Sequence, residues 1–521
     1  MRNDFKTSSL NENEVQPFLY KIENDEYYIR GIFLNPNGDR LEITKQSLFS
    51  LNFNDSIYDP FIDGVVTILN KENSLERTVE SGSKTIKGFN YRGDGKDVFY
   101  IEIVPIQDTS KKSGILGDEN LKYNRVFSLQ NLFACVDEET IYINGVQYKR
   151  IKLMDLDKKR LTEKKIQFNS SDVPNNEDIK KQDIYKDNDE RAVETGTSIK
   201  NILTKTLQKN EEELFHKQKS GSFDFLGKRG PTNFDTGLSR IFYSSDADNY
   251  AYDDLMYLYK HHVSNGDRRT FCYLKKEYFG GKYTFESIEN IFRKAVIEGQ
   301  AGNYFIEKLK ISSGTSVSDQ TNSTPVAPVG AASFANKSNI IDCKFFNQSF
   351  SLTKDSYNTK IVHSYDHENK QFKIFKRDAA IKNVREKFNE IFVAPLGEQF
   401  PSILTNVDLQ ENQNFEELYS LYSDETVARS IGLNQLLRSM LATSISVELT
   451  CYGQMFRKAG RFISIDRSSN YTKNDFDTKF LGTYFILKVI HDFAGDNAYI
   501  NKIYAVKTYF NDKILNEEGL N

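Results

Sequence analysis

The chain has 521 residues, with 69 Lys and Arg against 73 Asp and Glu and a formal net charge of −4. This length predicts several domains rather than one. Near neutrality argues against a protein whose main task is coating nucleic-acid phosphates, which needs a concentrated basic surface, and leaves room only for local basic stripes. Trp is absent, and 29 Tyr and 38 Phe carry much of the apolar burial.

From about Val15 to Ile106 the pattern is strand and turn. Phe18, Tyr20 and Ile22 alternate with their neighbours, and Tyr27 to Leu34, Ser47 to Phe53, Val65 to Leu69, Thr85 to Tyr91 and Val98 to Val104 continue the theme. Asn35-Pro36-Asn37-Gly38, Asp59-Pro60 and Gly93-Asp94-Gly95 supply turn chemistry between them. Ile141-Tyr142-Ile143, Asn144-Gly145 and Val146-Gln147-Tyr148 predict a hairpin, because Asn-Gly provides the two positive-φ residues of a type I′ turn. Lys149, Arg150, Lys152, Lys158, Lys159, Arg160, Lys164 and Lys165 then form a basic stretch, and 170–192 is a polar loop.

Helices are expected from Thr197 or Ser198 to about Phe215, from Asp253 to His262 and from Thr284 to Val296, with a strand over Phe271 to Tyr278. Ser312 to Ser338, rich in Ser, Thr, Ala and Pro with almost no charge, reads as a linker or long loop on the surface. Beyond it, Phe372 to Phe375 reads as strand, and Asp378 to Ile391, Glu416 to Leu421 and Val427 to Leu441 read as helices. Alternation returns over Ile445 to Cys451, Tyr484 to Phe493 and Tyr499 to Thr508. The chain therefore divides into a β-rich 1–148, a mixed 149–311, the linker 312–338, a mixed α+β 339–440 and a β-rich 441–521, mainly β with α+β insertions.

Few residues suggest chemistry. Cys135, Cys272, Cys343 and Cys451 are scattered rather than in close couples, so a cysteine zinc site is excluded on spacing, and they read as reduced, buried thiols of a cytoplasmic fold. Gly221 to Arg229 fails as a phosphate loop, since Arg229 stands where Ser or Thr belongs and Pro231 blocks a following helix. His363 and His367 sit on a strand and turn rather than a helix, and His261-His262 read as a cationic helix end. Asp246-Ala247-Asp248 lacks the turn glycine of a calcium loop, and Asp253 reads as a helix N-cap. No nucleophile elbow, metal set or catalytic constellation stands out, so no enzyme, no cofactor and no metal are expected. No apolar run approaches the ~20 residues of a membrane span, and Met1 to Leu10 lacks a signal-peptide core.

Along Tyr484 to Phe493, alternation places Phe485, Leu487, Val489 and Phe493 on a core face. The opposite face, Tyr484, Ile486, Lys488 and Ile490, is too apolar for open solvent and is the predicted assembly interface. Gly460 and Gly482 are the predicted turn and backbone positions. Loss of these C-terminal strands is expected to abolish assembly before folding.

Gly453 to Ile465, Phe480 to His491 and Tyr499 to Ile503 resemble the tail-tube-like domain of the central baseplate hub, or tail hub, protein of tailed bacteriophages, which is related to type VI secretion spike proteins. Ser50 to Ile57, Pro60 and Gly64 to Ile68 resemble a second copy, and Asp253 to Leu258, Phe271 to Lys276 and Tyr283 to Phe292 fit the middle. The resemblance implies two tail-tube-like antiparallel β domains flanking a mixed central region. It implies a structural virion protein of the viral tail and baseplate, assembled in the host cytoplasm as a homotrimer. Two tube-like domains per chain would make a ring that adapts a sixfold tail tube to a threefold central spike, with DNA passing through the lumen unrecognised and no membrane insertion. The competing readings are a particle-borne cell-wall hydrolase with its site in 340–440, and a nucleic-acid-binding protein using 149–165.

Overall fold

Apolar-polar alternation drives the first third of the chain into strands. The computed structural model describes residues 18–106, 128–165, 192–203, 231–291, 307–311, 340–347, 362–374, 418–420 and 445–507, with short gaps inside several of these stretches. β1 (Phe18–Ile22), β2 (Asp25–Leu34), β3 (Arg40–Glu42), β4 (Leu48–Ser56), β5 (Asp59–Leu69), β6 (Val79–Ser81), β7 (Lys84–Ile86) and β8 (Val98–Ile106) include the six expected strands, with β3 and β6 in addition and with Asp59-Pro60 opening β5 rather than forming a turn. β9 (Leu129–Ile143) and β10 (Val146–Asp155) form the Asn-Gly hairpin, with φ of 51° at Asn144 and 77° at Gly145.

The middle holds α1 (Leu156–Glu163), β11 (Ala192–Glu194), a helix α2 over 195–203, β12 (Pro231–Phe234), β13 (Arg240–Phe242), α3 (Ala251–Lys260), β14 (Cys272–Lys276) and β15 (Tyr283–Ser287). Two sequence expectations change here. Tyr283 to Ser287 is a strand paired antiparallel with β14, because Tyr-Thr-Phe-Glu-Ser alternates and packs on a neighbouring strand rather than along a helix face. Asp253 stands inside the helix rather than at its cap: Tyr250 is the N-cap, and its amide donates to Asp253 Oδ2 at 3.3 Å.

β16 (Glu307–Ile311), β17 (Ile340–Asn347), β18 (Val362–Asp366), β19 (Gln371–Ile374) and β20 (Leu418–Ser420) precede the C-terminal set β21 (Ile445–Tyr452), β22 (Phe462–Arg467), β23 (Gly482–Ala494) and β24 (Tyr499–Lys507). β18 and β19 make the hairpin expected around His363. Leu418 to Ser420 is strand, not helix, held by parallel pairing to β18. The predicted helices at 378–391 and 427–441, the linker 312–338, Gly221 to Arg229 and Asp246 to Asp248 lie outside the described residues. So does most of the segment assigned to a hydrolase site.

One large sheet runs β1-β2-β8-β9-β10-β5-β4-β23-β24-β21-β17, mainly antiparallel, with β3, β22 and β16 branching from it. The two ends of the sequence meet inside it, where β4 pairs antiparallel with the second half of β23 while β22 takes the first half. An aromatic-rich core including Phe33, Phe53, Phe99 and Phe133 fills the N-terminal side, and Met455, Phe493 and Tyr499 of the C-terminal segment belong to it. Phe493 and Tyr499 stack at 3.9 Å, and Tyr27 meets Tyr499 edge-on at 5.4 Å. A second core joins Leu309, Leu449, Tyr484, Ile486 and Val489, and a third joins α2, α3, β14 and β15 to Phe61 and Leu161. Cys135, Cys272 and Cys451 are buried as expected, whereas Cys343 is only partly buried, because it lies on β17 at the end of the strand path. No helix among the described residues is long and apolar enough to cross a membrane.

Candidate functional site

The β4–β23 seam is where the chain concentrates its buried polar chemistry. Alternation on β4 points Leu51, Phe53 and Asp55 inward, so a carboxylate ends an apolar row at zero exposure. Lys275 of β14 pairs with that carboxylate, Tyr278 donates to it at 2.6 Å, and the Ala459 amide donates at 3.0 Å. Burial pushes the Asp55 pKa up, but Lys275, the Tyr278 hydroxyl and the Ala459 amide overcome it and hold the group below the ordinary carboxylate value. One side chain thereby ties the N-terminal sheet, the middle region and the β21–β22 turn together.

His491 of β23 lies beside it, fully buried. Its Nε2 is 3.2 Å from the Tyr278 hydroxyl, and its Nδ1 is 2.8 Å from the Tyr499 hydroxyl and 3.0 Å from Asn501 Nδ2. Burial, reinforced by Arg457 and Lys458 against the opposing pull of Asp55, lowers its pKa to about 3. His491 is therefore a neutral hydrogen-bond bridge near pH 7.

Two further buried ionic clusters join other elements. Arg457, also fully buried, makes a bidentate pair with Glu307 of β16 at 2.8 and 2.7 Å and reaches Asn501 Oδ1 at 3.1 Å. Lys276 contacts both Asp155 oxygens at 2.8 and 2.7 Å and Asp157 at 2.8 Å, while Asn131 and Tyr283 complete the two carboxylates. Burial and the neighbouring Asp157 charge raise the Asp155 pKa, against the pull of Lys276. A cleft of about 30 Å³ lined by Lys275, Glu277, Lys458 and Arg461 sits above, room for about one water. These groups are paired with one another, and the arrangement holds three segments of the chain in register.

The four predicted interface residues separate in the structure. Tyr484 and Ile486 are 0% and 1% exposed within the single chain, while Lys488 and Ile490 are half-buried. The cause is a β-bulge: the β23–β24 register shifts between Ile486 and Lys488. Leu487 is the extra residue, and its carbonyl accepts the Ile57 amide at 2.9 Å. One inserted residue moves the following side chains to the other face. Tyr484, Ile486, Val489, His491 and Phe493 are all buried, and Phe485 is covered by Tyr273 and Phe462. Gly460 and Gly482 both have positive φ, 80° and 121°, and the Gly460 amide donates to Ile486 O at 2.9 Å, closing the turn onto β23.

Part of the basic stretch turns inward: Lys149 and Arg160 are buried, whereas Arg150, Lys152 and Lys165 are exposed. Lys149 meets Glu138 at 3.1 Å, Arg150 meets Glu139 at 3.7 Å, Lys158 pairs with Asp59 and with Asp63 at 2.6 Å, and Arg160 meets Asp157 at 3.5 Å. Lys149, Lys158 and Arg160 thus spend their charge on carboxylates of their own chain. His261 is the C-cap of α3, with Nδ1 2.7 Å from Tyr257 O. The sequence reading missed Asp55, Lys275, Lys276 and Arg457. Only Asp55 left a signal, since it holds an inward parity position after Leu51 and Phe53.

No protein-family model and no curated protein matches this chain. Solved structures similar to it include a tail protein from Neisseria meningitidis, at 8% identity and TM-score 0.44, covering 92% of this chain and 96% of that one. The 43 kDa tail protein of prophage MuSo2 from Shewanella oneidensis has 10% identity and TM-score 0.41, with 92% and 96% coverage. An Escherichia coli protein that is a component of the type VI secretion system has 6% identity and TM-score 0.32, covering 95% of this chain and 79% of that one.

Proposed function

We propose that this chain is a structural subunit of a bacteriophage-type tail: a baseplate or tail hub protein, three copies of which form a ring between a sixfold tail tube and a threefold central spike. The observation that carries the reading is the seam itself, where β-rich blocks from opposite ends of the sequence join edge to edge through β4 and β23. Two such blocks per chain supply six ring positions from three chains. Buried ionic clusters that tie each block to the segments between them support a mechanical role over turnover. Among the described residues the strand path ends at β1 and β17, and pairing or covering by a neighbouring chain is one way such edges are protected.

On this reading the protein belongs to the virion tail, assembles in the host cytoplasm, binds tube and spike proteins, and lets DNA pass through its lumen without recognising sequence. The ring contact falls on the outer face of β23, where Lys488 and Ile490 stand half-buried beside the exposed Tyr504. Light scattering and class-averaged electron images of the full chain, alone and with tube and spike proteins, test the reading. Three copies around a threefold axis are expected. A chain that stays single in every mixture overturns it. The double variant Lys488→Glu, Ile490→Asp is expected to fold yet fail to close the ring, and normal closure would remove this face from the interface.

A further inference from the structure

Away from the seam, three ligand-bearing side chains from separate segments converge. Asp235 follows β12, His262 follows α3 and its cap, and Cys272 opens β14. A carboxylate oxygen, an imidazole nitrogen and the thiol sulfur lie within 4.8 Å of one another. His262 and Cys272 are buried at 1% and 0% exposure, and Asp235 is partly buried. We propose that Asp235, His262 and Cys272 hold a zinc ion that fastens the middle region together.

The donor set carries the choice of metal. One hard oxygen, one imidazole nitrogen and one soft thiolate match zinc, which has no d-electron geometric preference and accepts mixed O, N and S tetrahedra. Calcium and magnesium take oxygen shells and would leave the thiol unused. His262 Nε2 stands 3.6 Å from Asp235 Oδ1, longer than a good hydrogen bond. Two donors each ~2 Å from a shared tetrahedral ion stand about 3.3 Å apart, so this pair already lies near the spacing of two ligands.

The surroundings supply the outer contacts that orient metal ligands. His262 Nδ1 is 2.9 Å from Thr195 Oγ1; a proton donated there leaves the Nε2 lone pair for the metal. Asp235 is aimed by backbone amides, accepting from Gly237 at 2.7 Å and from Asn265 at 3.2 Å. Gly237 has φ of 74°, and a Cβ there would lie 2.2 Å from His262 Cε1, so the loop closes on the imidazole only because the residue is glycine. Phe285 covers the ring at 4.4 Å. Water or the second Asp235 oxygen completes four ligands. Binding releases the Cys272 thiol proton to solvent, and the thiolate then bonds the cation.

The consequence is positional. Cys272 begins the strand that carries Lys275 to Asp55 in the seam and Lys276 to Asp155, so a metal here would anchor the strand from its far end. The spacing rule for cysteine pairs could not show this site, since it uses one cysteine and two ligands distant in sequence.

Elemental analysis of the full chain without a histidine tag, after exposure to zinc and dialysis, is expected to find about one zinc per chain. Cobalt in its place should give a thiolate-to-metal charge-transfer band that is lost in Cys272→Ser and retained in Cys343→Ser. Asp235→Asn and His262→Gln should each weaken zinc binding about tenfold or more. Should Cys272→Ser not fold, the unaltered chain still decides: its melting midpoint should rise with zinc and fall with a chelator. Binding below about a tenth of an equivalent, a midpoint indifferent to zinc, or a charge-transfer band unchanged in Cys272→Ser would overturn the proposal.

Discussion

Asp55 and His491 face each other across the seam with opposite requirements: the carboxylate must stay charged and the imidazole must stay neutral. Asp55→Asn leaves the Lys275 charge without its closest partner and should destabilise the chain by about 3–5 kcal/mol, read as a lower melting midpoint. Pairing it with Lys275→Met should recover much of the loss, because the uncompensated charge is then gone. The pH dependence follows from His491. Its pKa falls from 6.5 to about 3 on folding, so between those values the unfolded chain binds a proton that the folded chain refuses. The His491 contribution is complete above pH 6.5 and is lost as pH falls toward 3. The depressed Asp55 pKa acts in the same direction at the acid end, below its unfolded value of 3.8. Melting curves from about pH 7 to about pH 4 should therefore decline in the parent, and His491→Gln, which cannot titrate, should flatten that part of the decline.

At the level of elements, the bulge at Leu487 decides which face of β23 is core. Ile486→Asp buries an unpaired charge and should cost several kcal/mol, abolishing the cooperative melt seen by circular dichroism. Ile490→Asp, beyond the bulge on a half-buried face, should leave the single chain folded. Gly460→Ala should cost about 1–2 kcal/mol, because an L-residue is forced into the left-handed region while nothing crowds its Cβ. Alternation along β23 was legible in the sequence, and so were the glycines. The bulge was not, because a single inserted residue has no compositional signature and is recognised only by the register of the strands beside it.

For the whole molecule, the shared core sets how the chain responds to truncation. Met455, Phe493 and Tyr499 pack among N-terminal residues, and β23 covers the edge of β4. Removing everything from Ile445 onward should therefore open the N-terminal core and expose that edge, giving aggregation on expression rather than a folded subunit unable to assemble. Size-exclusion chromatography of the truncated chain checks this. It reverses the order expected from the sequence, in which assembly fails before folding. The inward pairing of Lys149, Lys158 and Arg160 likewise predicts no steep salt-dependent DNA retention by an isolated subunit, which a filter-binding titration across salt concentrations would measure.

The sequence by itself determined the longer N-terminal strands, the C-terminal β21, β23 and β24, the Asn-Gly hairpin and the mainly β class, because period-two alternation and turn chemistry act over a few residues and need no distant partner. It also marked both ends of the chain as β-rich and Gly460 and Gly482 as special backbone positions. Only the tertiary structure decided that the two ends share one sheet, that Tyr283 to Ser287 is strand, and that Asp55, Lys275 and His491 meet. Those outcomes depend on which distant segment supplies the missing pairing or the missing charge. A carboxylate on β4 acquires its meaning from a lysine on β14 and an amide in the β21–β22 turn, and nothing local to β4 records either one.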